Sequence, residues 1–190
     1  MILHYYFADV FTQKTSVFFV MKQSETERLV LKFYSEENKN DFLNLFTDAE
    51  VMKFVDKGVM TNEQAEAFWR KLFEKLYPQN FLIWAVFDKS DSRYVGHAGI
   101  YPRPTKKEDW EFVYFLCRNE WGKGCATEIA RRLIKYAFEE LNLNRVFATV
   151  DEAHSTSIQV LEKAGMKFEH YESDEQGRFS VYASRQSFTN

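Results

Sequence analysis

Apolar and polar positions change period several times along the chain. Arg28 to Tyr34 carries the branched and aromatic residues of a strand, whereas Phe42, Leu45, Phe46 and Ala49 recur at helical spacing within Glu36 to Phe54. Thr61 followed by Gln64 fits a capping box, and Ala65, Phe68, Leu72 and Leu76 continue one helical face until Pro78 ends it. FLIWAVFD and RYVGHAGIY read as two strands about the turn-like Lys89-Ser90-Asp91, PRPTKKE (102–108) as a loop, and DWEFVYFLC as a third strand. After RNEWGKGCATE (118–128), a helix places Ala126, Ile129, Ala130, Leu133, Ala137 and Leu141 on one face. RVFATV is a short buried strand. Ser155 or a neighbour caps a helix bearing Ile158, Leu161 and Ala164, which stops at Gly165. MKFEHYES and RFSVYAS then form a closing hairpin around Glu175-Gln176-Gly177. The order is mixed α/β with an antiparallel beginning, and it shows no internal repeat.

Composition narrows the class. At 190 residues, 45% hydrophobic and 28% charged, the chain has the balance of a soluble globular protein, long enough for one full domain. Its 19 phenylalanines predict an aromatic core. A net charge of −3 argues against a sequence-independent nucleic-acid binder, which needs a basic face. Cys117 and Cys125 are too few for a disulfide scaffold and fit a cytoplasmic protein. No run approaches the roughly 20 apolar residues of a membrane span, so neither nucleic acid nor membrane is expected as a partner. Residues 1–20 are apolar and aromatic but lack a basic leader and a small-residue cleavage pattern. Residues 21–190 are read as the domain and residues 1–20 as an extension or an upstream start ahead of Met21.

Chemistry enters at Trp121-Gly122-Lys123-Gly124. A strand that runs through this turn into a helix aims several unpaired amide hydrogens at one point, where the helix dipole also favours negative charge. The alternative is a tight helix start with no ligand. Two standard phosphate loops do not fit: Thr127 stands where a dinucleotide fingerprint needs a small residue, and no Gly-Lys-Ser/Thr follows as in a nucleoside-triphosphate loop.

WGKGCATE, preceded by EFVY and followed by HSTSIQVLEKAGMKFE, resembles the GNAT superfamily of acetyl-coenzyme A-dependent N-acetyltransferases. Thr26 to Leu31 add a likeness to its ribosomal-protein N-terminal acetyltransferase type, and the resemblance spans roughly residues 24 to 185. It implies a central mixed, mostly antiparallel sheet flanked by helices and splayed at the acetyl-coenzyme A site. Carried over by position, it implies cofactor contacts from Leu116, Cys117, Arg118, Asn119, Trp121, Gly122, Lys123, Gly124, Cys125 and Ala126, and from His154 and Ser157 on the second motif. The chain departs from the family pattern in two of these places. Asn119 stands where the pyrophosphate loop has Gln or Arg, and His154 replaces an asparagine. His154 then contacts the pantetheine arm or the acceptor, or is a surface residue at a helix start.

The implied reaction is acetyl transfer to a primary amine by direct attack in a ternary complex. A protonated amine must lose a proton before attacking, and Glu111, three residues before Tyr114, is the candidate base. A family tyrosine that protonates the leaving thiolate has its place taken by Leu161, so Tyr114, Ser157 or water must substitute. A backbone N–H between Leu116 and Arg118 would hold the oxyanion. No metal is implied. Cys125 reads as a small packed residue rather than an acyl carrier, His97 as structural rather than facing the acceptor, Lys106 and Lys107 as solvated, and Phe68, Trp69, Phe73 and Tyr77 mostly as core.

The acceptor, a small-molecule or protein amine, is left open between a protein N-terminus, a lysine and small amines, selected by loops such as 54–62 and 102–109. Oligomeric state is also open. Two further classes compete: an acyl-coenzyme A-binding sensor without turnover, and a nucleotide-dependent oxidoreductase or phosphotransferase.

Overall fold

Among the described residues eight strands join in one sheet, the central ones buried on both faces. A computed structural model describes residues 23–55, 58–103, 106–174 and 177–186; the proposed extension at residues 1–20 lies outside them. The strands are β1 (Ser24–Glu25), β2 (Leu29–Phe33), β3 (Leu82–Asp88), β4 (Tyr94–Arg103), β5 (Lys106–Leu116), β6 (Arg145–Asp151), β7 (Lys167–Asp174) and β8 (Gly177–Arg185). Their order is β1-β2-β3-β4-β5-β6-β8-β7. Every neighbouring pair is antiparallel except β5 and β6, which are joined by a crossover and run parallel. The expected mixed, mostly antiparallel sheet is thus present.

Four α-helices cover it: α1 (Lys39–Phe46), α2 (Asn62–Lys71), α3 (Cys125–Glu139) and α4 (Ser155–Lys163). Phe46 of α1 packs on His97 and Phe115 from one face, and Tyr136 of α3 packs on Trp84 from the other. Along β5, Glu111, Val113 and Phe115 therefore belong to the α1 face, and Phe112, Tyr114 and Leu116 to the α3 face. The core is aromatic, with Phe42, Phe46, Trp84 and Phe112 fully buried.

Several local expectations hold because their causes are local. Thr61 N–H donates to Gln64 Oε1 at 2.8 Å while Thr61 Oγ1 accepts from Gln64 N–H at 3.3 Å, closing the capping box of α2. Ala65, Phe68, Leu72 and Leu76 are all buried, although residues Leu72–Leu76 widen into a π-helical turn. Phe68 and Trp69 are core residues, with Phe73 and Tyr77 packed against them.

Two expectations are corrected. The helix expected over Glu36 to Phe54 is α1 alone between short 3-10 turns, and Ala49 is exposed. Asp48 ends it: its Oδ1 accepts from the N–H groups of Glu50 and Val51 at 3.0 and 3.4 Å, giving the backbone a local alternative to the helix. The loop expected at residues 102–108 is mostly strand, because Pro102 sits at a register shift where its missing N–H is tolerated. The N-cap of α4, expected at Ser155 or a neighbour, is the neighbour His154.

Candidate active site

The parallel junction creates the opening. β5 and β6 pair at a single position, Glu111 opposite Phe147, while each stays committed to an antiparallel neighbour along its length. Beyond Glu111 the two strands part. The C-terminal end of β5 borders a cleft of about 500 Å³, walled by Tyr114 and Leu116 of β5, by Trp121, Gly122, Gly124, Cys125 and Ala126 at the start of α3, by His154 and Ser157 at α4, and by Val51, Phe54 and Val55 ahead of α2.

The glycine-rich turn takes the form its sequence requires. Gly122 and Gly124 adopt φ of 74° and 82°, left-handed values that an L side chain occupies only under strain. Nothing lies within 4 Å of a side chain built on Gly122, so its surroundings are open. The first i to i−4 bond of α3 runs from Glu128 N–H to Gly124 O, leaving the N–H groups of Cys125, Ala126 and Thr127 ahead of it, at the positive end of a 15-residue helix. Glu120, only 1% exposed, would oppose an anion here. Arg93 and Lys123 neutralise it at 2.9 and 3.2 Å. Trp121 Nε1 donates to Leu116 O at 2.9 Å and fixes the turn to the end of β5.

On the α3 face of β5, Tyr114 Oη lies 2.9 Å from Ser157 Oγ, and both are buried at the cleft. Burial pushes the Tyr114 phenol up to about 12, so it keeps its proton at neutral pH. Across the cleft mouth, the ring of His154 stacks on Phe54 with centroids 4.2 Å apart and planes 14° from parallel. Burial pushes the His154 imidazole down to about 4, so it is neutral.

Glu111 stands apart from these groups. Its odd spacing from Tyr114 turns it to the opposite face, at the vertex of the splay, 1% exposed and off the cleft wall. Burial raises its carboxyl to about 7, against the opposing effects of a 2.6 Å hydrogen bond from Thr149 Oγ1 and the Arg103 charge. Arg103 is itself held by Glu172 at 2.7 and 3.0 Å and lies over the Phe147 ring.

The sequence-derived site residues therefore divide. Tyr114, Leu116, Trp121, Gly122, Gly124, Cys125, Ala126, His154 and Ser157 meet at the cleft. Glu111, Cys117, Arg118, Asn119 and Lys123 lie off its wall: Cys117 is half-buried, Arg118 is exposed and pairs with Asp48, Asn119 is exposed, and Lys123 turns to Glu120. Cys117 N–H is committed to Val95 O at 3.0 Å, which removes it as an oxyanion donor. Burial raises the Cys125 thiol, contrary to what an acyl carrier needs. His97 is fully buried with Nδ1 3.0 Å from Tyr34 Oη, and burial lowers it to about 3. Sequence reasoning missed Thr149, Phe54 and Glu120 as parts of the site. A lone threonine within RVFATV was the one readable signal.

A mixed sheet that opens beside a glycine-rich helix start defines a class of acetyl-transferring enzymes. The family model described as Acetyltransferase (GNAT) domain matches residues 28–167, and the chain belongs to that family as an acetyl-coenzyme A-dependent N-acetyltransferase. It is 30% identical over 142 residues to an uncharacterised N-acetyltransferase of Bacillus licheniformis, covering 74% of this chain and 80% of the relative. A GNAT-family acetyltransferase from Bacillus anthracis superposes with a TM-score of 0.75 at 24% identity, over 86% of this chain and 98% of that one. The spermidine N-acetyltransferase of Vibrio cholerae, solved with coenzyme A and spermine, gives 0.68 at 16% identity, over 84% of this chain and 96% of that one. Among the described residues no helix is long and apolar enough to cross a membrane, and no cluster of His, Cys, Asp or Glu could hold a metal ion.

Proposed function

We propose that this chain transfers the acetyl group of acetyl-coenzyme A to a primary amine by direct attack within the cleft. The observation that carries this reading is the single β5–β6 bridge at Glu111–Phe147, beyond which the sheet opens beside the helix start that leaves the N–H groups of Cys125, Ala126 and Thr127 outside the α3 ladder. Those donors fit a pyrophosphate, and the cleft beyond them fits a pantetheine arm. Acetyl-coenzyme A, when bound, supplies the activated thioester.

Glu111, at the vertex of the splay and off the cleft wall, takes the amine proton through an intervening water, with a pKa close to neutrality as a general base requires. The hydrogen-bonded Tyr114–Ser157 pair supplies the proton for the departing sulfur, in the role that Leu161, fully buried, cannot fill. The oxyanion donor falls to Leu116 or Arg118. The acceptor is a protein N-terminus, a lysine or a small amine. The ribosomal-protein type remains a reading of Thr26 to Leu31. We place the enzyme in the cytoplasm.

The test is thermal unfolding with acetyl-coenzyme A, coenzyme A, NADH and ATP in parallel, followed by coenzyme A release across a panel of amines. At a hundredfold excess over the dissociation constant, a ligand adds about 2.7 kcal/mol, a shift of several degrees for a domain of this size. A shift confined to the coenzyme A compounds, with thiol release dependent on an amine, is expected. Stabilisation by NADH or ATP instead, or binding without turnover, overturns the proposal.

A further inference from the structure

The two glycines that let a ligand approach the turn also leave its backbone free to move, and ordering it costs conformational entropy. Something must hold the turn in its binding form. Beside the Trp121 bond, one side chain reaches it from the residue just before β2, 95 residues earlier in the sequence.

Arg28 Nη1 donates to the carbonyl oxygen of Lys123 at 3.1 Å. Its Nε and Nη2 donate to Glu128 Oε2, in the first turn of α3, at 2.7 and 2.6 Å. Glu128 Oε1 in turn accepts from Arg28 N–H at 2.9 Å and from Thr26 Oγ1. One planar guanidinium thus ties the turn ahead of α3 to the helix itself. The planar fork holds its donors at the fixed spacing that serves both acceptors at once, which a compact ammonium group does not.

The consequence follows from peptide geometry. In a trans peptide the C=O and N–H point in opposite directions, and no peptide in the described residues is cis. Holding the Lys123 carbonyl toward Arg28 turns the Gly124 N–H away from Arg28, and Gly124 itself lines the cleft. Arg28 is absent from the cleft wall and half exposed, so it acts through the backbone rather than by touching the ligand.

We infer that Arg28 is a positioning residue that locks the Lys123–Gly124 peptide with its N–H aimed at the cofactor's pyrophosphate, so that it sets affinity for the diphosphate end of acetyl-coenzyme A and not for the pantetheine end. This rests on the proposed acetyl-coenzyme A site. Thr26 and Glu128 complete the strap, and Lys in place of Arg has too few fixed donors to span both acceptors.

The experiment is calorimetric titration of the full chain, and of its Arg28→Ala and Arg28→Lys variants, with acetyl-coenzyme A and with S-acetylpantetheine, which lacks the pyrophosphate. Loss of a charge-assisted hydrogen bond and of loop order is expected to weaken acetyl-coenzyme A binding roughly tenfold in both variants. Binding of S-acetylpantetheine should change less than about twofold. Arg28→Lys keeps a bond to Glu128 and carries the same comparison if Arg28→Ala does not fold. Equal loss for both ligands would mean a general structural role, and full affinity in Arg28→Lys would mean that charge alone acts; either result overturns the inference. Failure of the unaltered chain to bind acetyl-coenzyme A sinks the cofactor site itself and is seen before any variant is compared.

Discussion

Thr149 Oγ1 lies 2.6 Å from Glu111 Oε1, so a side-chain bond joins β6 to β5 after backbone pairing between them has ceased. It also bears on the titration of the carboxylate that stands at the vertex of the opening. Burial raises Glu111 to about 7, and the Thr149 bond restrains that rise.

If Glu111 is the base, turnover must climb with pH through about 7 and level off above it, since only the ionised carboxylate accepts a proton. Glu111→Gln is expected to lower kcat by about a hundredfold or more and to abolish that limb. Thr149→Val, which removes a donor favouring the charged form, should move the limb to higher pH. A pH–rate profile of the three proteins checks both, and an unchanged profile in Glu111→Gln would rule the residue out.

The same carboxylate has a cost in stability with a definite sign. Its folded-state pKa of about 7 exceeds its ordinary 4.5, so across that window the folded chain keeps a proton that the unfolded chain releases, and stability falls as pH rises. The full loss is about 3 kcal/mol. Glu111→Gln, which can still accept from Thr149, should therefore be more stable than the unaltered chain at pH 8, and the advantage should vanish near pH 4. Urea unfolding at the two pH values measures the difference.

Tyr114→Phe and Ser157→Ala each remove one half of a single hydrogen bond. Each should lower kcat about tenfold, and the double variant should fall well short of the product, because the pair acts as a unit. Coenzyme A release followed with a thiol reagent gives the three numbers. Strict multiplicativity would show that the two hydroxyls serve separate steps.

Phe54→Ala removes the ring stacked on His154 and opens the wall formed by residues 51–55. An aromatic pair contributes about 0.5–1.5 kcal/mol beyond its buried area, so KM for acetyl-coenzyme A should rise about threefold to tenfold with kcat less affected. Because His154 is neutral above about pH 5, the effect should not vary between pH 6 and 9.

The sequence by itself determined what depends on near neighbours along the chain. The Thr61–Gln64 box, the left-handed Gly122 and Gly124, the strands on either side of Lys89-Ser90-Asp91 and the amphipathic face of α3 each arise from residues a few positions apart. The turn at Asp48 is not legible in the periodicity, because its apolar neighbours keep helical spacing while its own side chain bonds the backbone. Tertiary structure alone decided the rest. The opening of the sheet depends on β6 meeting β5 in parallel at one residue and on β8 inserting between β6 and β7, neither of which leaves a trace in local periodicity. The charge state of Glu111 depends on burial, on Thr149 and on Arg103, and the hold on Lys123 depends on Arg28. These are contacts between residues far apart in sequence, and the free energy of a buried charge or a fixed carbonyl is set by what surrounds it in space.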